Sequence, residues 1–284
     1  MKVALINPIP MDSDLWDSRP MFSSFAEPLG LLYIAEMLKK DGYEVVILDH
    51  GATNYTFPQV LNWIKKNDPD ILGISVLTFL SGIKIAKIAK DWNPDLQIIL
   101  GNYHTICAER IMNKYDFIDF CVLGEAEYSF LKLLKKIQHN DSSYNEVEGI
   151  YYRNNGHIKF TVPCQVEENL DKFSFPDRRL LGNNQYKMSI GGLSISGGKS
   201  GTIIMSRGCP FKCRFCSVHK RGWRHRSVEN ITEELEILES QNYREIMVMD
   251  DNFTLNPKWV IKVCDSIVKN KIDLLFHCEG RIEG

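Results

Sequence analysis

The sequence predicts an α/β protein in which a doubly wound parallel sheet is followed by the beginning of a parallel barrel or second sheet. Three observations carry this. From residue 1 to about 140, short runs rich in β-branched residues alternate with amphipathic segments. Residues 141–200 then change character, with Pro163, Pro176 and the glycine-rich GGLSISGGKSG. From 202 the alternation resumes as strand, loop, helix, strand, helix and strand. Strands that alternate with helices imply right-handed crossovers and parallel pairing. A chain of 284 residues with 44% hydrophobic and 25% charged residues is long enough for one large or two medium domains.

KVALIN (2–7), YEVVILD (43–49), DILGISVL (70–77), LQIILG (96–101) and FIDFCVLG (117–124) are apolar on both faces and read as strands covered on both sides. Helices are expected between them. In PLGLLYIAEMLKKDG, Leu31, Ile34, Ala35 and Leu38 share a face, two lysines close the last turn, and Gly42 supplies a left-handed stop. The others fall near 57–67, 81–91, 105–114 and 125–139. VEGIYYR and HIKFTV flank Asn154-Asn155-Gly156 and read as a β-hairpin. TIIMS (202–206) starts the next series. A helix follows with Ser227 as N-cap, Glu229 in its first turn, and Ile231, Leu235 and Leu238 on one face. EIMVMD, a helix capped by Asn256 with Pro257 at its first position, and DLLFHC complete the series.

In such sheets ligands bind beyond the carboxyl ends of the strands. Those ends carry Asn7-Pro8, Asp49-His50-Gly51, Ser75 to Thr78, Gly101-Asn102-Tyr103-His104 and Gly124-Glu125. Neither GxGxxG after the first strand nor GxxxxGK[ST] is present, so the usual dinucleotide and triphosphate sites lose their main support. A net charge of −2 argues against binding nucleic acid through overall charge. Met205 to Arg226 holds seven lysines and arginines and no acid. That run suits a solvated face, a counter-charge for nearby thiolates, or a phosphate or carboxylate group. No segment approaches the roughly 18 apolar residues of a membrane span, and the start reads as a buried strand and not a signal peptide. A cytoplasmic protein with reduced or metal-bound thiols is expected.

The densest chemistry lies in SRGCPFKCRFCSVH, where Cys209, Cys213 and Cys216 stand within eight residues of a chain with eight cysteines. A dithiol redox pair would leave the third thiol unexplained. Zinc is one alternative, with His219 as fourth ligand of a tetrahedral site. A four-iron cluster is the other, with three thiolates on three irons and the fourth iron open to an exogenous ligand.

With a basic residue after the second cysteine and Phe215 just before the third, this loop resembles the CxxxCxφC motif of radical S-adenosylmethionine (SAM) enzymes, φ being aromatic. PLGLLYIAEMLKKDGYEVVILD, DILGISVLTF, IILGNYH and VLGEAEYSFLKLL resemble, in that order, the flavodoxin-type cobalamin-binding domain at the front of many such enzymes. A hairpin and a segment like LDKFSFPDRRLL often join the two domains of that family. The resemblance implies a cobalamin-binding-like domain over 1–140, a hairpin and linker over 141–200, and the first part of a radical SAM partial (β/α) barrel over 201–284. It also implies a [4Fe-4S] cluster on Cys209, Cys213 and Cys216, SAM on its open iron, and Phe215 beside the adenine. Asp250, Asp251 and Asn252 would meet the SAM amino group, and Glu279 and Arg281 its carboxylate or ribose. Cobalamin would lie near Gly101, Asn102, His104, Gly124 and Glu125. The DxHxxG signature of histidine-ligated cobalamin domains is absent, His50 stands after the second strand instead, and Asn102 replaces the second glycine of a usual Gly-Gly pair, where it is expected to crowd the groove.

The function implied is reductive cleavage of SAM to a 5′-deoxyadenosyl radical and methyl transfer to an unactivated carbon of a small molecule. An electron donor such as ferredoxin or flavodoxin is implied too. Oxidative cyclisation is an alternative within the family, and a non-catalytic corrinoid- or metal-binding module is one outside it. The family barrel has six βα units, whereas this sequence holds three strands of it, so a fragment of a longer protein is expected.

Overall fold

The computed structural model of the chain describes residues 1–9, 26–184, 186, 189–190, 193–194, 198–216 and 222–281. The chain divides into two compact units.

The first unit is a seven-stranded sheet. In chain order its elements are β1 (Lys2–Asn7), α1 (Leu29–Lys40), β2 (Glu44–Asp49), the short α2 (His50–Thr53), α3 (Phe57–Asn67), β3 (Ile71–Ser75), α4 (Phe79–Trp92), β4 (Gln97–Gly101), α5 (Ala108–Lys114), β5 (Phe120–Val122), α6 (Glu127–Gln138), β6 (Ile150–Asn154) and β7 (His157–Phe160). The spatial order is β2-β1-β3-β4-β5-β6-β7. Strands β1 to β5 pair in parallel. The order reverses at β1, which puts the switch point of this doubly wound sheet at the carboxyl ends of β1 and β3.

The apolar runs form strands because both faces are covered. Ala4, Ile6, Leu72, Ile74, Ile98 and Leu100 are buried in one cluster with Val60 and Ile64 of α3 and Ile85, Ala86 and Ala89 of α4. On β3, a Cβ added to Gly73 would meet Leu5 Cδ2 at 2.7 Å and the Phe130 ring at 3.2 Å. Gly73→Ala should therefore overpack this sheet and cost about 1–3 kcal/mol. A lower urea midpoint with an unchanged slope is the expected readout.

The hairpin expected in the connector is instead part of this sheet. β6 pairs antiparallel with β5 through Phe120↔Tyr152, Cys121↔Tyr151 and Val122↔Ile150, and β7 closes the far side. A short parallel edge strand would otherwise leave its backbone groups unpaired. Asn155 and Gly156 both have positive φ, 50° and 80°, as a two-residue turn of this hand requires. The rest of the connector is divided: Glu167–Phe175 belongs to the second unit and Pro176–Asn184 to the first. Asp177 fastens the latter stretch by accepting from Lys39 Nζ at 2.6 Å and from Arg179 Nε at 2.8 Å. These two cations hold its carboxyl well below the usual carboxylate range.

In the second unit a two-residue ribbon, β8 (Ser189–Ile190) with β9 (Leu193–Ser194), precedes β10 (Lys199–Ile203), β11 (Ser206–Arg207), β12 (Arg224–His225), α7 (Val228–Ser240), β13 (Tyr243–Val248), α8 (Pro257–Lys269) and β14 (Leu275–Cys278). β10, β13 and β14 form a parallel sheet in that order. Its core joins Ile203, Met205, Ile231, Leu235, Leu238, Ile246, Val248 and Trp259. Ser227 and Asn256 cap α7 and α8, their side chains accepting from Asn230 and Trp259 N–H groups. Glu27, from a stretch ahead of α1, is built into this unit. Its carboxylate accepts from Tyr243 Oη at 2.6 Å and from Thr202 N–H at 3.1 Å. Among the described residues, no helix is long and apolar enough to cross a membrane.

Candidate functional site

The cysteine segment is an irregular loop closed at its base. β11 and β12 pair antiparallel through Ser206↔His225 and Arg207↔Arg224, so the chain leaves after Arg207 and returns at Arg224 beside it. Gly208 turns the chain with φ of 89°, a region that disfavours side chains. Cys209, Cys213 and Cys216 follow as free thiols, the first two half-buried and the third exposed. Cys216 N–H donates to Cys213 O at 3.1 Å, which folds the last two into one turn. Phe215 stands 92% exposed. His219 lies outside the described residues.

The three thiols share one loop but are not drawn to one point. Among the described residues no group of three His, Cys, Asp or Glu side chains is gathered for a metal ion. Site geometry of this kind is completed by the metal, since binding and ordering are coupled. The donor set itself is soft and all sulfur, which suits an iron–sulfur cluster or zinc and excludes hard cations.

The strand ends beside the loop carry the other expected residues. Asp250 is buried, and its carboxylate accepts from Met205 N–H at 2.8 Å and from Ser206 Oγ at 2.6 Å. Burial pushes its pKa up to about 6, against the opposing pull of those hydrogen bonds. Asp251 is exposed and accepts from Gly208 N–H at 2.8 Å. Both carboxylates thus turn to the loop's backbone. Asn252 differs: it is buried, accepts from Thr254 Oγ1 at 3.3 Å, and has no partner for its amide nitrogen among the described residues. The carbonyl oxygen of Glu279 accepts from Phe253 N–H at 3.0 Å, and the Arg281 guanidinium lies 4.0 Å over the Phe211 ring. A Cβ at Gly280 would stand 2.5 Å from Thr254 Oγ1, so the ends of β13 and β14 are in close contact. Ser206, Phe211 and Thr254 were not singled out by the sequence. Their roles depend on partners far along the chain, and only Phe211's place inside the cysteine motif could have flagged it.

In the first unit, the ends of β3 and β4 are tied together. Asn102 has φ of 80°, its side-chain amide donates to Ser75 Oγ at 2.8 Å, and its carbonyl accepts from Thr105 N–H and Oγ1 at 3.0 and 2.6 Å. A positive φ is what a glycine would have tolerated here, and asparagine is among the few other residues that adopt it, its side chain here tied to Ser75 of β3. Among the described residues, apart from its chain neighbours, nothing lies within 4 Å of where a Cβ on Gly101 would stand. Gly124 also has positive φ, 94°, and Glu125 is half-buried; the side chain of His104 is not among those described. His50 is buried with both ring nitrogens engaged: Nδ1 accepts from Ile9 N–H at 3.3 Å, while Nε2 stands 2.6 Å from Tyr55 O. A carbonyl only accepts, so His50 is the neutral Nε2–H tautomer, and burial lowers its pKa further. His50 is thereby unavailable as a metal ligand.

The sequence did not single out the apolar rim around these ends. Leu77 and Leu80 after β3, Ile106 after β4 and Tyr128 after β5 are all exposed. Exposed apolar groups on strand-end segments suit the face of a large, flat, partly apolar ligand.

Comparison with known proteins agrees with this division. The B12 binding domain family matches residues 22–134, and the Radical SAM superfamily matches residues 203–282. The uncharacterized methyltransferase PH0819 of Pyrococcus horikoshii is 33% identical over 99% of this chain and 60% of its own length. The anaerobic magnesium-protoporphyrin IX monomethyl ester cyclase of Rubrivivax gelatinosus is 29% identical over 90% of this chain and 47% of its own length. The chain thus spans about half the length of the curated relatives it matches. The cobalamin-dependent SAM radical enzyme OxsB has the same fold, with a TM-score of 0.76 and 24% identity over 99% of this chain and 39% of its own. The radical SAM methyltransferase TsrM of Kitasatospora setae follows at a TM-score of 0.70 and 16% identity, over 95% of this chain and 51% of its own.

Proposed function

Because this chain is a member of the radical SAM enzymes that carry a B12-binding domain, we propose that it serves a cobalamin-dependent radical SAM methyltransferase acting on an unactivated carbon of a small molecule. The observation that carries the reading is the Cys-x3-Cys-x2-Cys loop closed at the end of a parallel strand, in a chain whose first unit is a doubly wound sheet with exposed apolar side chains after β3, β4 and β5. When bound, the [4Fe-4S] cluster supplies the electron that cleaves SAM and cobalamin carries the methyl group.

The chain's own residues have separate tasks. Cys209, Cys213 and Cys216 would hold the cluster through their sulfurs. Phe215, exposed beside the third cysteine, offers a face for the adenine, and the unpartnered amide of Asn252 together with Arg281 offers donors for the carboxylate and ribose oxygens of SAM. Gly101, Asn102, His104, Gly124 and Glu125 would line the cobalamin site at the strand ends of the first sheet, with Leu77, Leu80, Ile106 and Tyr128 available for apolar contact. No histidine of the described set is assigned to cobalt. A reducing, cytoplasmic setting fits the free thiols and supplies a donor such as ferredoxin or flavodoxin.

Hydroxocobalamin should co-elute with the protein at about one equivalent per chain, and failure to bind would leave the first unit a scaffold without its ligand. The cyclase relatives favour a second reading, ring closure without methyl transfer. SAM labelled in its methyl group separates the two, since only a methyltransferase passes the label to product.

A further inference from the structure

Three donors of the segment that leads into the cysteine loop, on Met205, Ser206 and Gly208, are held by two adjacent carboxylates just past the end of β13. β10 and β13 stay paired to the end, where Met249 N–H donates to Ile203 O at 2.8 Å. Met205 N–H and the Ser206 hydroxyl then donate to the two oxygens of Asp250, and Gly208 N–H donates to Asp251 Oδ2. The next residue is Cys209. From the other side Arg226 N–H donates to Met205 O at 2.9 Å, so the segment is fixed on both flanks. Carboxylates are strong acceptors for backbone N–H groups, and Asp250 is buried where such bonds are least weakened by water. Gly208 carries its positive φ at the residue whose N–H Asp251 holds, so the direction in which the chain departs toward Cys209 is set from a fastened point.

We propose that Asp250 and Asp251 are positioning residues that fix Cys209 at the strand end through Met205, Ser206 and Gly208, and that neither serves as the partner of the SAM amino group. This rests on the reading that the three cysteines hold the cluster. Asn252, whose amide is unpartnered, is left as the polar group of this strand end that faces a ligand.

The test compares Asp251→Ala with Asp251→Asn, and Asp250→Ala with Asp250→Asn, by two readouts: amide hydrogen exchange across 205–216 in the iron-free protein, and iron retention against a chelator after reconstitution. Asparagine keeps an acceptor oxygen but loses the charge. Alanine at either position should speed exchange and iron loss at least about tenfold, the size expected for a lost hydrogen bond to a charged group. Asparagine should restore both to within about twofold of the parent. Asp251 is exposed, so its alanine variant keeps the fold and its result decides the matter. Parent-like exchange and iron retention in Asp251→Ala would overturn the proposal. So would Asp251→Asn losing SAM affinity tenfold while keeping parent-like exchange and iron. A parent protein that takes up no iron contradicts the cluster reading instead, and the exchange experiment on iron-free protein still tests the fastening.

Discussion

Replacing Cys213 with alanine is expected to lower the iron content of the reconstituted protein from about four atoms per chain to less than about one, and to reduce SAM cleavage to background. Three thiolates are the smallest set that holds a four-iron cluster while leaving one iron open, and two cannot enclose it. Cys213 is the middle of the three proposed ligands, and its carbonyl accepts from Cys216 N–H, so Cys216 cannot take its place without opening that turn. Cys264 is the control: it is exposed on α8, away from the loop in sequence, and Cys264→Ala should leave iron unchanged. Metal analysis by emission spectroscopy reads both variants directly. Undiminished iron in Cys213→Ala would remove the loop from consideration as the cluster site.

The second large effect is on stability. Arg226 and Glu234 form an ion pair with both side chains almost fully buried, at 4% and 0% exposure. The guanidinium also donates to Asn230 Oδ1 at 2.7 Å, to Ile204 O at 2.9 Å and to Asn230 O at 3.1 Å, and it lies 5.4 Å over the Phe175 ring. Glu234→Ala leaves that charge in the interior without its counter-ion. Breaking a buried pair in this way costs about 3–5 kcal/mol, well beyond a surface pair. The expected readout is a lowered urea midpoint for the second unit with the slope retained. Replacing both partners by apolar residues of similar volume should cost far less, since no charge is then stranded. Equal losses in the single and double variants would show that packing, and not charge, sets the stability there. Because Arg226 also holds Ile204 O at the exit of β10, iron retention should fall alongside stability in the single variant.

Much of the fold could be read in the sequence because its cues are local. The β-branched runs became parallel strands, Gly42 took its left-handed stop with φ of 87°, and Ser227 and Asn256 capped their helices. The hairpin was equally legible from Asn155-Gly156, but its destination was not. That depended on the unpaired edge of β5, some thirty residues upstream, which no local pattern reveals. Asn102 shows the same limit. Beside a glycine it suggested crowding, whereas the structure turns its side chain to Ser75 on another strand.

The candidate site divides along the same line. The cysteine spacing is local and was legible. The hydrogen bonds of Asp250 and Asp251 join residues 43 to 45 positions apart, and two strand-end acids could equally face a ligand or a backbone. The exposed apolar side chains after β3, β4 and β5 lie in three separate segments, and their exposure is a property of the fold that no local pattern reveals. His50 shows why position mattered more than residue type: a histidine at a strand end invites a ligand role, yet backbone groups occupy both of its nitrogens.

The central claim is that the three cysteines of residues 209–216 hold an iron–sulfur cluster. Iron and zinc counted per chain, after anaerobic reconstitution with iron and sulfide, test it most directly. About four irons and no stoichiometric zinc are predicted; about one zinc with no iron would contradict it.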